Sequence, residues 1–440
     1  MKKVGVGVIG FGTVGTGVVK VLLKRKNLLA QRSGFLPELL TVVDIDLKKR
    51  RSVSVPPKIL TNDVRKVLDN PEIKIVVELV GGIEPAGSLI LEALKKGKSV
   101  VTANKALLAE KGDRIFYAAE KYGCHFGFEG SVGGAIPIIK SLRESFVANR
   151  ITSLYGILNG TTNFILNRMA EERISLEKAL KTAQKAGFAE KDPHLDLSGL
   201  DSSHKLSVLA TLITGRFFPA SGILTEGIAG ITLEDLQYAD ELGYCVKLLS
   251  ILRCGREGTS LATYPALIPK QHLLSSIRDV YNAIYLTGDL IGESLLFGKG
   301  AGMDPTASSV VSDIMSIGKN ILHGVDPAPL PACAKAPAGK PACLQRPQKK
   351  PLERIARYYL RFTALDQPGV LAEVSAVLGR LGISIASCIQ MTEPRPRKAV
   401  PVVFLSHKAR EEAVQKAIAI IDRLPVIKAK TVLMRLAFDE

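Results

Sequence analysis

Apolar positions follow two rhythms along the first 130 residues. Nearly continuous apolar runs, typical of strands buried on both faces, recur five times, at 4–9, 39–44, 73–80, 99–102 and 124–128. Segments with apolar residues at helical spacing lie between these runs and predict helices at 14–22, 84–96 and 109–122. This alternation predicts a doubly wound parallel sheet, an α/β unit.

The pattern changes in the middle of the chain. Residues 137–303 combine helical segments with runs that predict strands around 217–231, 259–268 and 279–290, which indicates an α+β domain. Asp304 and Pro305 form a typical helix start. We expect the helix at about 304–322 to return to the first domain, residues 1–136, and complete it.

Two further segments follow. Residues 324–352 are rich in proline and basic residues and predict a flexible linker. Residues 353–440 resume strand and helix patterns in the order β-α-β-β-α-β, which predicts a small ferredoxin-like domain.

A glycine-rich motif follows the first strand directly. It has the form G-x-G-x-x-G and comprises Gly10, Phe11, Gly12, Thr13, Val14 and Gly15. Between a strand and a helix, this spacing predicts a Rossmann-type dinucleotide site, because the glycines let backbone approach a pyrophosphate and the helix N-terminus offers N–H groups to it. A glycine-rich turn without a ligand is the alternative.

The cues for the cofactor conflict. Asp44 ends the second strand and favours NAD, whereas the basic run 48–51, which contains Arg50, favours the 2′-phosphate of NADP. We expect NADP or NAD, with a slight preference for NADP. Gly81 and Lys105 follow the third and fourth strands, at the edge where such sheets bind ligands.

An acidic stretch ahead of a lysine is the main candidate for substrate chemistry. Four carboxylates, Glu190, Asp192, Asp196 and Asp201, precede Lys205, and an apolar helical run follows. Asp201 and Lys205 are four residues apart and share a face if the helix begins near Asp201. Carboxylates opposite an amine suit a small cationic substrate, and a partly buried lysine can relay a proton. The alternative is an acidic surface loop followed by an ordinary ion pair.

Two glycine-containing segments complete the candidates. Residues 129–137 place one carboxylate beside dense glycine, which suits either a weak oxygen-ligated cation site or a simple turn. Residues 159–163, Asn-Gly-Thr-Thr-Asn, stand between a strand and a helix and predict a turn that faces the substrate.

Composition excludes several classes of protein. No apolar run is long enough for a transmembrane helix, and no signal-peptide cleavage site follows the N-terminus, so we expect a cytoplasmic protein without membrane contact. The six cysteines show no Cys-x-x-Cys spacing and are expected to be reduced. The net charge of +17 is spread along a chain with few aromatic residues, so we expect no nucleic-acid partner.

Taken together, these motifs resemble homoserine dehydrogenase over residues 1 to about 323. The resemblance is carried by segments 103–107, 129–134, 159–163, 186–205 and 300–306. The turn Asp366-Gln367-Pro368-Gly369-Val370-Leu371 resembles that of an ACT domain, the amino-acid-sensing module often attached to that family.

The resemblance implies reversible interconversion of L-homoserine and L-aspartate 4-semialdehyde with NAD(P), a step toward threonine, methionine and isoleucine. It implies that Lys205 transfers the proton with Lys105 beside it, and that acidic residues of the 186–205 stretch bind substrate. Further implied residues are Phe11, Thr13 and Val14 at the pyrophosphate, Gly187 and Gly302 beside the nucleotide, and Glu129 with the carbonyls of Val132, Gly134 and Ile136 around a monovalent cation, expected to be sodium.

Regulation and assembly are further expectations. The ACT-like module predicts inhibition by an amino acid, threonine being the expected effector, and a homodimer or homotetramer. Three competing interpretations remain. The first is an aspartate-semialdehyde dehydrogenase, but that enzyme needs a thiolate nucleophile, which the substrate stretch lacks. The others are a non-catalytic regulator that senses nucleotide and amino acid, and a metal hydrolase using His194, Asp196 and His204.

Overall fold

The N-terminal unit is a parallel six-stranded sheet flanked by helices. The computed structural model describes residues 1–255, 258–330, 355–390 and 398–438. The elements of this unit are β1 Lys2–Ile9, α1 Thr13–Lys24, α2 Lys26–Ser33, β2 Phe35–Val43, β3 Leu60–Thr61, α3 Arg65–Leu68, β4 Ile73–Glu78, α4 Ala86–Lys95, β5 Ser99–Thr102, α5 Lys105–Lys121 and β6 Phe126–Gly127. The strand order β3-β2-β1-β4-β5-β6 confirms the predicted doubly wound α/β fold.

The sequence pattern explains this layering. Val4, Val6 and Val8 of β1 are all buried, as expected for a central strand covered on both faces. Val18, Val19 and Leu22 of α1 are buried at helical spacing (i, i+3 and i+4) against the sheet.

The second unit is α+β and ends in the helix that returns to the first. Its elements are α6 Ile138–Lys140, β7 Ile151–Ile157, α7 Gly160–Glu172, α8 Leu176–Lys185, α9 His194–Leu197, α10 Leu200–Thr214, β8 Leu224–Thr225, α11 Leu233–Glu241, β9 Tyr244–Gly255, β10 Gly258–Pro269, β11 Tyr281–Gly288, β12 Gly292–Lys299 and α12 Met303–His323. Helix α12 packs its buried face against α1 and the N-terminal sheet.

The C-terminal unit has the predicted ferredoxin-like arrangement. Its elements are β13 Ile355–Ala356, β14 Tyr358–Leu365, α13 Val370–Arg380, β15 Ile385–Ile389, β16 Ala399–Ser406, β17 Ala409–Arg410, α14 Glu411–Ile421 and β18 Ile427–Leu436. The strand order is β18-β14-β16-β15. Strand β18 also pairs in parallel with β10, which joins this unit to the middle one in a single ten-stranded sheet.

Three sequence expectations need correction or limits. Strands predicted around 217–231 were wrong apart from the two residues of β8, because Pro219, Gly222, Gly227 and Gly230 interrupt the apolar pattern. Helix α5 begins at Lys105 rather than 109, because the Asn104 side chain accepts the Leu107 N–H and caps the helix. Most of the predicted linker, residues 331–352, lies outside the described residues.

Candidate active site

Two lysines from different helices meet one buried carboxylate. The two Asp201 oxygens each contact one amine, Lys105 Nζ at 2.8 Å from Oδ1 and Lys205 Nζ at 2.7 Å from Oδ2. Asp201 and Lys205 are buried, whereas the Lys105 side chain is 41% exposed. Lys205 Nζ also donates to the Leu158 carbonyl at 2.6 Å. The four-residue spacing had predicted the Asp201–Lys205 contact.

Local backbone geometry places these three side chains. Gly199 has a φ of +82°, a conformation that favours glycine, and α10 begins directly after it. Asp201 therefore lies in the first turn of α10, where the helix dipole favours a carboxylate, and Lys205 lies one turn later. The Asn104 cap fixes the start of α5, so that Lys105 leaves the carboxyl edge of the parallel sheet toward α10.

The cluster shifts the pKa of each member. Burial alone would raise the pKa of Asp201, but Lys205 and Lys105 together hold it well below its usual range. Burial lowers the pKa of Lys205, although Asp201 opposes this shift. The Asp201 charge raises the pKa of the more exposed Lys105. Lys205 is therefore the lysine whose proton is the easier to remove.

Asn159 joins a second carboxylate to the cluster. Its side-chain amide donates to Asp196 Oδ1 at 2.6 Å and to Asp201 Oδ2 at 2.9 Å, while its own oxygen caps α7. Burial and the neighbouring Asp201 charge raise the pKa of Asp196. The sequence had marked the turn at 159–163 as substrate-facing but had not assigned Asn159 or the Leu158 carbonyl a place in the site.

Glu190 and Gly187 lie on the exposed loop before α9. The Glu190 carboxylate accepts no hydrogen bond from the residues that the structure describes. Its charge is nevertheless close enough to raise the pKa of Lys105. Gly187 has a φ of +74° and open space where a side chain would stand. The loop therefore borders the cluster, and its Glu190 carboxylate is accessible to a ligand.

The glycine motif fits a dinucleotide phosphate on structural grounds. A side chain on Gly10 would lie 2.5 Å from the Leu79 backbone, and one on Gly15 would lie 2.1 Å from the Gly10 carbonyl. A side chain on Gly12 would meet nothing within 4 Å, and no side chain caps the start of α1. Thr13 and Val14 are the first two residues of α1, and the space in front of their N–H groups is open. A phosphate can therefore reach these N–H groups, as a dinucleotide site requires.

Gly81 follows β4, the strand that pairs with β1, and Gly302 begins a helix that lies beside α1. Both have positive φ, +80° and +118°. Gly302 begins α12, which lies so close to α1 that a side chain on Gly17 would be 2.8 Å from the Met303 carbonyl. The N-terminal ends of α1 and α12 therefore lie side by side.

Arg51, rather than Arg50, lies beside the glycine motif. Its Nε donates to the Phe11 carbonyl at 2.8 Å, its Nη2 lies 3.1 Å from Asp44 Oδ1, and its guanidinium covers the Phe11 ring at 4.5 Å. Arg50 is exposed. The basic run was predicted from the sequence, with Arg50 as its cofactor-binding residue. The turn at 44–51 instead directs Arg51 inward, and the sequence pattern does not reveal that turn.

Comparison with known proteins gives the family. The family model described as homoserine dehydrogenase matches residues 137–315, its NAD binding domain matches 10–129, and the ACT domain matches 358–425. A homoserine dehydrogenase of Pseudomonas aeruginosa is 39% identical over 436 residues and covers 99% of each chain. One of Synechocystis is also 39% identical and covers 96% of this chain and 97% of the relative.

The chain belongs to the homoserine dehydrogenase family. Solved structures agree. The homoserine dehydrogenase of Thiobacillus denitrificans has a TM-score of 0.89 at 39% identity over 99% of each chain, and that of S. aureus has 0.75 at 28% identity over the full length of both. Members of this family are NAD(P)-dependent oxidoreductases, which settles the enzyme class and leaves the regulator interpretation without support.

The metal-hydrolase and aspartate-semialdehyde dehydrogenase interpretations also lack support. Among the described residues no group of three or more His, Cys, Asp or Glu side chains could hold a metal ion. The four cysteines in the described ranges form no disulfide, and burial raises the pKa of Cys124 to about 11, which disfavours a thiolate there. Cys333 and Cys343 lie outside the described residues. No helix that the structure describes could cross a membrane.

Three of the four residues predicted for a cation, Glu129, Gly134 and Ile136, already accept hydrogen bonds. The two Glu129 oxygens accept the Ile139 and Lys140 N–H groups, each at 2.8 Å, and thus cap α6. The Gly134 carbonyl accepts from Ser309 Oγ, and the Ile136 carbonyl accepts the Ile138 N–H. Burial raises the pKa of Glu129 to about 7. A cation here would have to share the backbone carbonyls, each of which keeps a second lone pair.

Proposed function

We propose that this family member interconverts L-homoserine and L-aspartate 4-semialdehyde with NAD(P), and that Lys205 transfers the proton. The observation that carries the proposal is the buried Lys205 amine held between Asp201 Oδ2 and the Leu158 carbonyl. Two of its three N–H bonds have these acceptors, so the third is available to a substrate oxygen.

The proton and the hydride have separate sources. The nicotinamide cofactor, when bound, supplies or accepts the hydride. During aldehyde reduction, negative charge develops on the carbonyl oxygen, and the Lys205 ammonium stabilises that charge and delivers the proton. In the reverse direction the neutral amine accepts the hydroxyl proton. Lys105 adds positive charge on the opposite side of Asp201 and orients the substrate oxygen.

The acidic residues are proposed to bind the amino group of the substrate. Glu190 is accessible on its loop, and Asp196 is tied to the cluster through Asn159. Asp201 has both oxygens engaged by lysines, so its main contribution is to hold the two amines in place. A substrate amino acid thus presents its ammonium to Glu190 and Asp196 and its reacting oxygen to Lys205.

The cofactor is proposed to lie across the starts of α1 and α12. Phe11, Thr13 and Val14 are proposed to hold the pyrophosphate, with Gly81, Gly187, Gly302 and Lys105 lining the nucleotide. Arg51 is paired with Asp44 and fixes the turn that carries the basic run 48–51, and this run is proposed to favour NADP. Arg50 extends the same positive surface.

Cation binding, regulation and assembly are further parts of the proposal. A monovalent cation, sodium by resemblance, is proposed to use the carbonyls of Val132, Gly134 and Ile136, with the Glu129 charge nearby.

The ACT domain supports an amino-acid effector, and threonine is proposed as an inhibitor. A homodimer or homotetramer is proposed because ACT modules usually pair across subunits. Unchanged homoserine oxidation by the full-length enzyme at saturating threonine would contradict the effector assignment.

The test is reduction of NAD(P)⁺ by L-homoserine with wild type and Lys205→Ala. Loss of one general acid–base group usually costs about 10²–10⁴-fold, so kcat is expected to fall in that range while cofactor still binds. Lys121→Ala, an exposed lysine at the far end of α5, is the matched control and should keep wild-type activity. A wild type inactive with both cofactors in the presence of sodium or potassium would overturn the proposed reaction.

A further inference from the structure

One backbone carbonyl links Lys205 to a buried amide on another strand. The Leu158 carbonyl, at the end of β7, accepts from Lys205 Nζ at 2.6 Å and from Asn282 Nδ2 at 2.9 Å. Asn282 lies on β11, next to Ala283, which pairs with Ile157 across the antiparallel ladder. The carbonyl that holds the lysine is therefore itself held by Asn282.

The environment of Asn282 is unusual for a residue with only a packing role. Asn282 is 0% exposed, and its Oδ1 has no hydrogen-bond partner in the part of the chain that the structure describes. A buried acceptor without a partner carries a desolvation cost that no hydrogen bond offsets. An apolar side chain of similar size would avoid that cost, so the gain from this amide must come from its Nδ2 contact.

The other side of the Asn282 amide touches the segment that leads into α12. A side chain on Gly300 would lie 2.0 Å from Asn282 Cγ and 2.2 Å from its Nδ2. Gly300 stands two residues before Gly302, where α12 begins beside the glycine motif of α1. Asn282 is therefore packed between the carbonyl that binds Lys205 and the segment next to the dinucleotide side of the site.

We propose that Asn282 is a positioning residue for proton transfer, which acts by fixing the direction of the Leu158 carbonyl and thereby of the Lys205 amine. This inference rests on the proposed role of Lys205. With Asp201 Oδ2 and the Leu158 carbonyl both fixed, the third N–H of Lys205 has one direction. If the Leu158 carbonyl turns, the Lys205 amine keeps its charge, but its third N–H no longer points at the substrate oxygen. The geometry needed for proton transfer is then lost.

The first test is Asn282→Ala in the full-length enzyme. We expect kcat for homoserine oxidation to fall about 10- to 100-fold with KM changed less than about threefold, because substrate binding through the acidic residues is retained. Asn149→Ala is the matched control, since Asn149 is also an amide that bonds backbone, the Ile291 N–H, at the opposite end of the β11–β12 hairpin. The control should keep kcat.

The second test is a double-mutant cycle with Gly300→Ala. The added methyl group displaces the Asn282 amide, so Gly300→Ala alone should lower kcat. In the Asn282→Ala background the methyl group has room, and the further loss should be less than about twofold, whereas independent sites would add. This variant also tests the proposal if Asn282→Ala does not fold.

The outcomes separate this proposal from the proposed function. Lower kcat in Asn282→Ala with non-additivity supports the positioning role. A wild-type kcat in Asn282→Ala, or fully additive losses, overturns it even if Lys205→Ala is inactive. Full activity of Lys205→Ala would remove the proton-transfer assignment itself, and the Asn282 proposal would fall with it.

Discussion

The molecule has buried charged clusters in two regions, and the two clusters serve different roles. At the proposed active site, Asp201 is shared between two lysines, and Lys205 keeps one N–H for another partner. Between the middle and C-terminal units, Asp235 of α11 faces Arg361 and Tyr359 of β14. The first region uses amines whose charge can change, and the second uses a guanidinium whose charge cannot.

The interdomain cluster is saturated with hydrogen bonds. Asp235 Oδ1 accepts from Arg361 Nε at 2.6 Å and from Tyr359 Oη at 2.9 Å, and Oδ2 accepts from Arg361 Nη2 at 3.0 Å. Oδ2 also accepts the Thr232 N–H and hydroxyl, both at 2.9 Å. No acceptor capacity is left for a ligand, so this cluster fixes two domains rather than performing chemistry.

A second arginine completes the same interface. Arg435 of β18, almost fully buried over the Tyr264 ring, pairs with Glu226 of the middle unit and with Glu411 of its own. Glu226 follows β8, and its N–H donates to the Thr263 carbonyl of β10. The two regions therefore differ in what remains available to a ligand: Lys205 of the proposed catalytic cluster keeps one N–H without a protein acceptor, whereas both oxygens of the Asp235 carboxylate are filled by protein donors.

The largest effect on stability is expected from Asp235→Ala. Removal of one partner leaves the Arg361 charge buried and unpaired, which typically costs about 3–5 kcal/mol in the free energy of unfolding. Denaturant unfolding of the full-length chain measures it. Asp240→Ala, an exposed carboxylate on the same helix, is the control and should change stability by less than about 1 kcal/mol. Equal effects of the two substitutions would contradict the structural role of the Asp235 cluster.

Asp201→Asn should change the pH dependence of catalysis more than stability. The Asp201 charge raises the pKa of both lysines, so its removal lowers them. In the proposed mechanism, homoserine oxidation needs the neutral Lys205 amine, so the ascending limb of the kcat–pH profile should move to lower pH, with kcat reduced about 10- to 100-fold. An unshifted limb would show that this carboxylate does not control the titrating group. Asp192→Asn, exposed in the same stretch, should leave the profile unchanged.

The smallest effect is expected from Glu226→Gln. Arg435 keeps its second carboxylate, Glu411, and the substituted amide still offers one acceptor. A loss of about 1.5–3 kcal/mol in the free energy of unfolding is expected, the range for a hydrogen bond to a charged group, with kcat near wild type. A large loss of kcat without loss of stability would show that the interface reaches the catalytic cluster.

Local sequence patterns predicted much of the fold but only part of the site. The strand–glycine–helix motif and the four-residue spacing of Asp201 and Lys205 are local, so both were readable. The contact of Lys105 with Asp201 depends on packing of α5 against α10, nearly 100 residues apart along the chain. The inward position of Arg51 depends on the conformation of the turn at 44–51, which the sequence pattern does not specify. The Asp235 and Arg435 clusters, and pairing of β18 with β10, join residues too distant for any local pattern to reveal.

The most direct test of the central claim is chemical rescue of Lys205→Ala. Small primary amines such as methylamine should restore homoserine oxidation in proportion to their concentration, with rates that depend on the pKa of the amine, because the missing group is a proton acceptor. The Asp201→Asn variant, which retains Lys205, should show no such response. Failure of every amine to restore activity, with cofactor and homoserine still bound, would contradict proton transfer by Lys205.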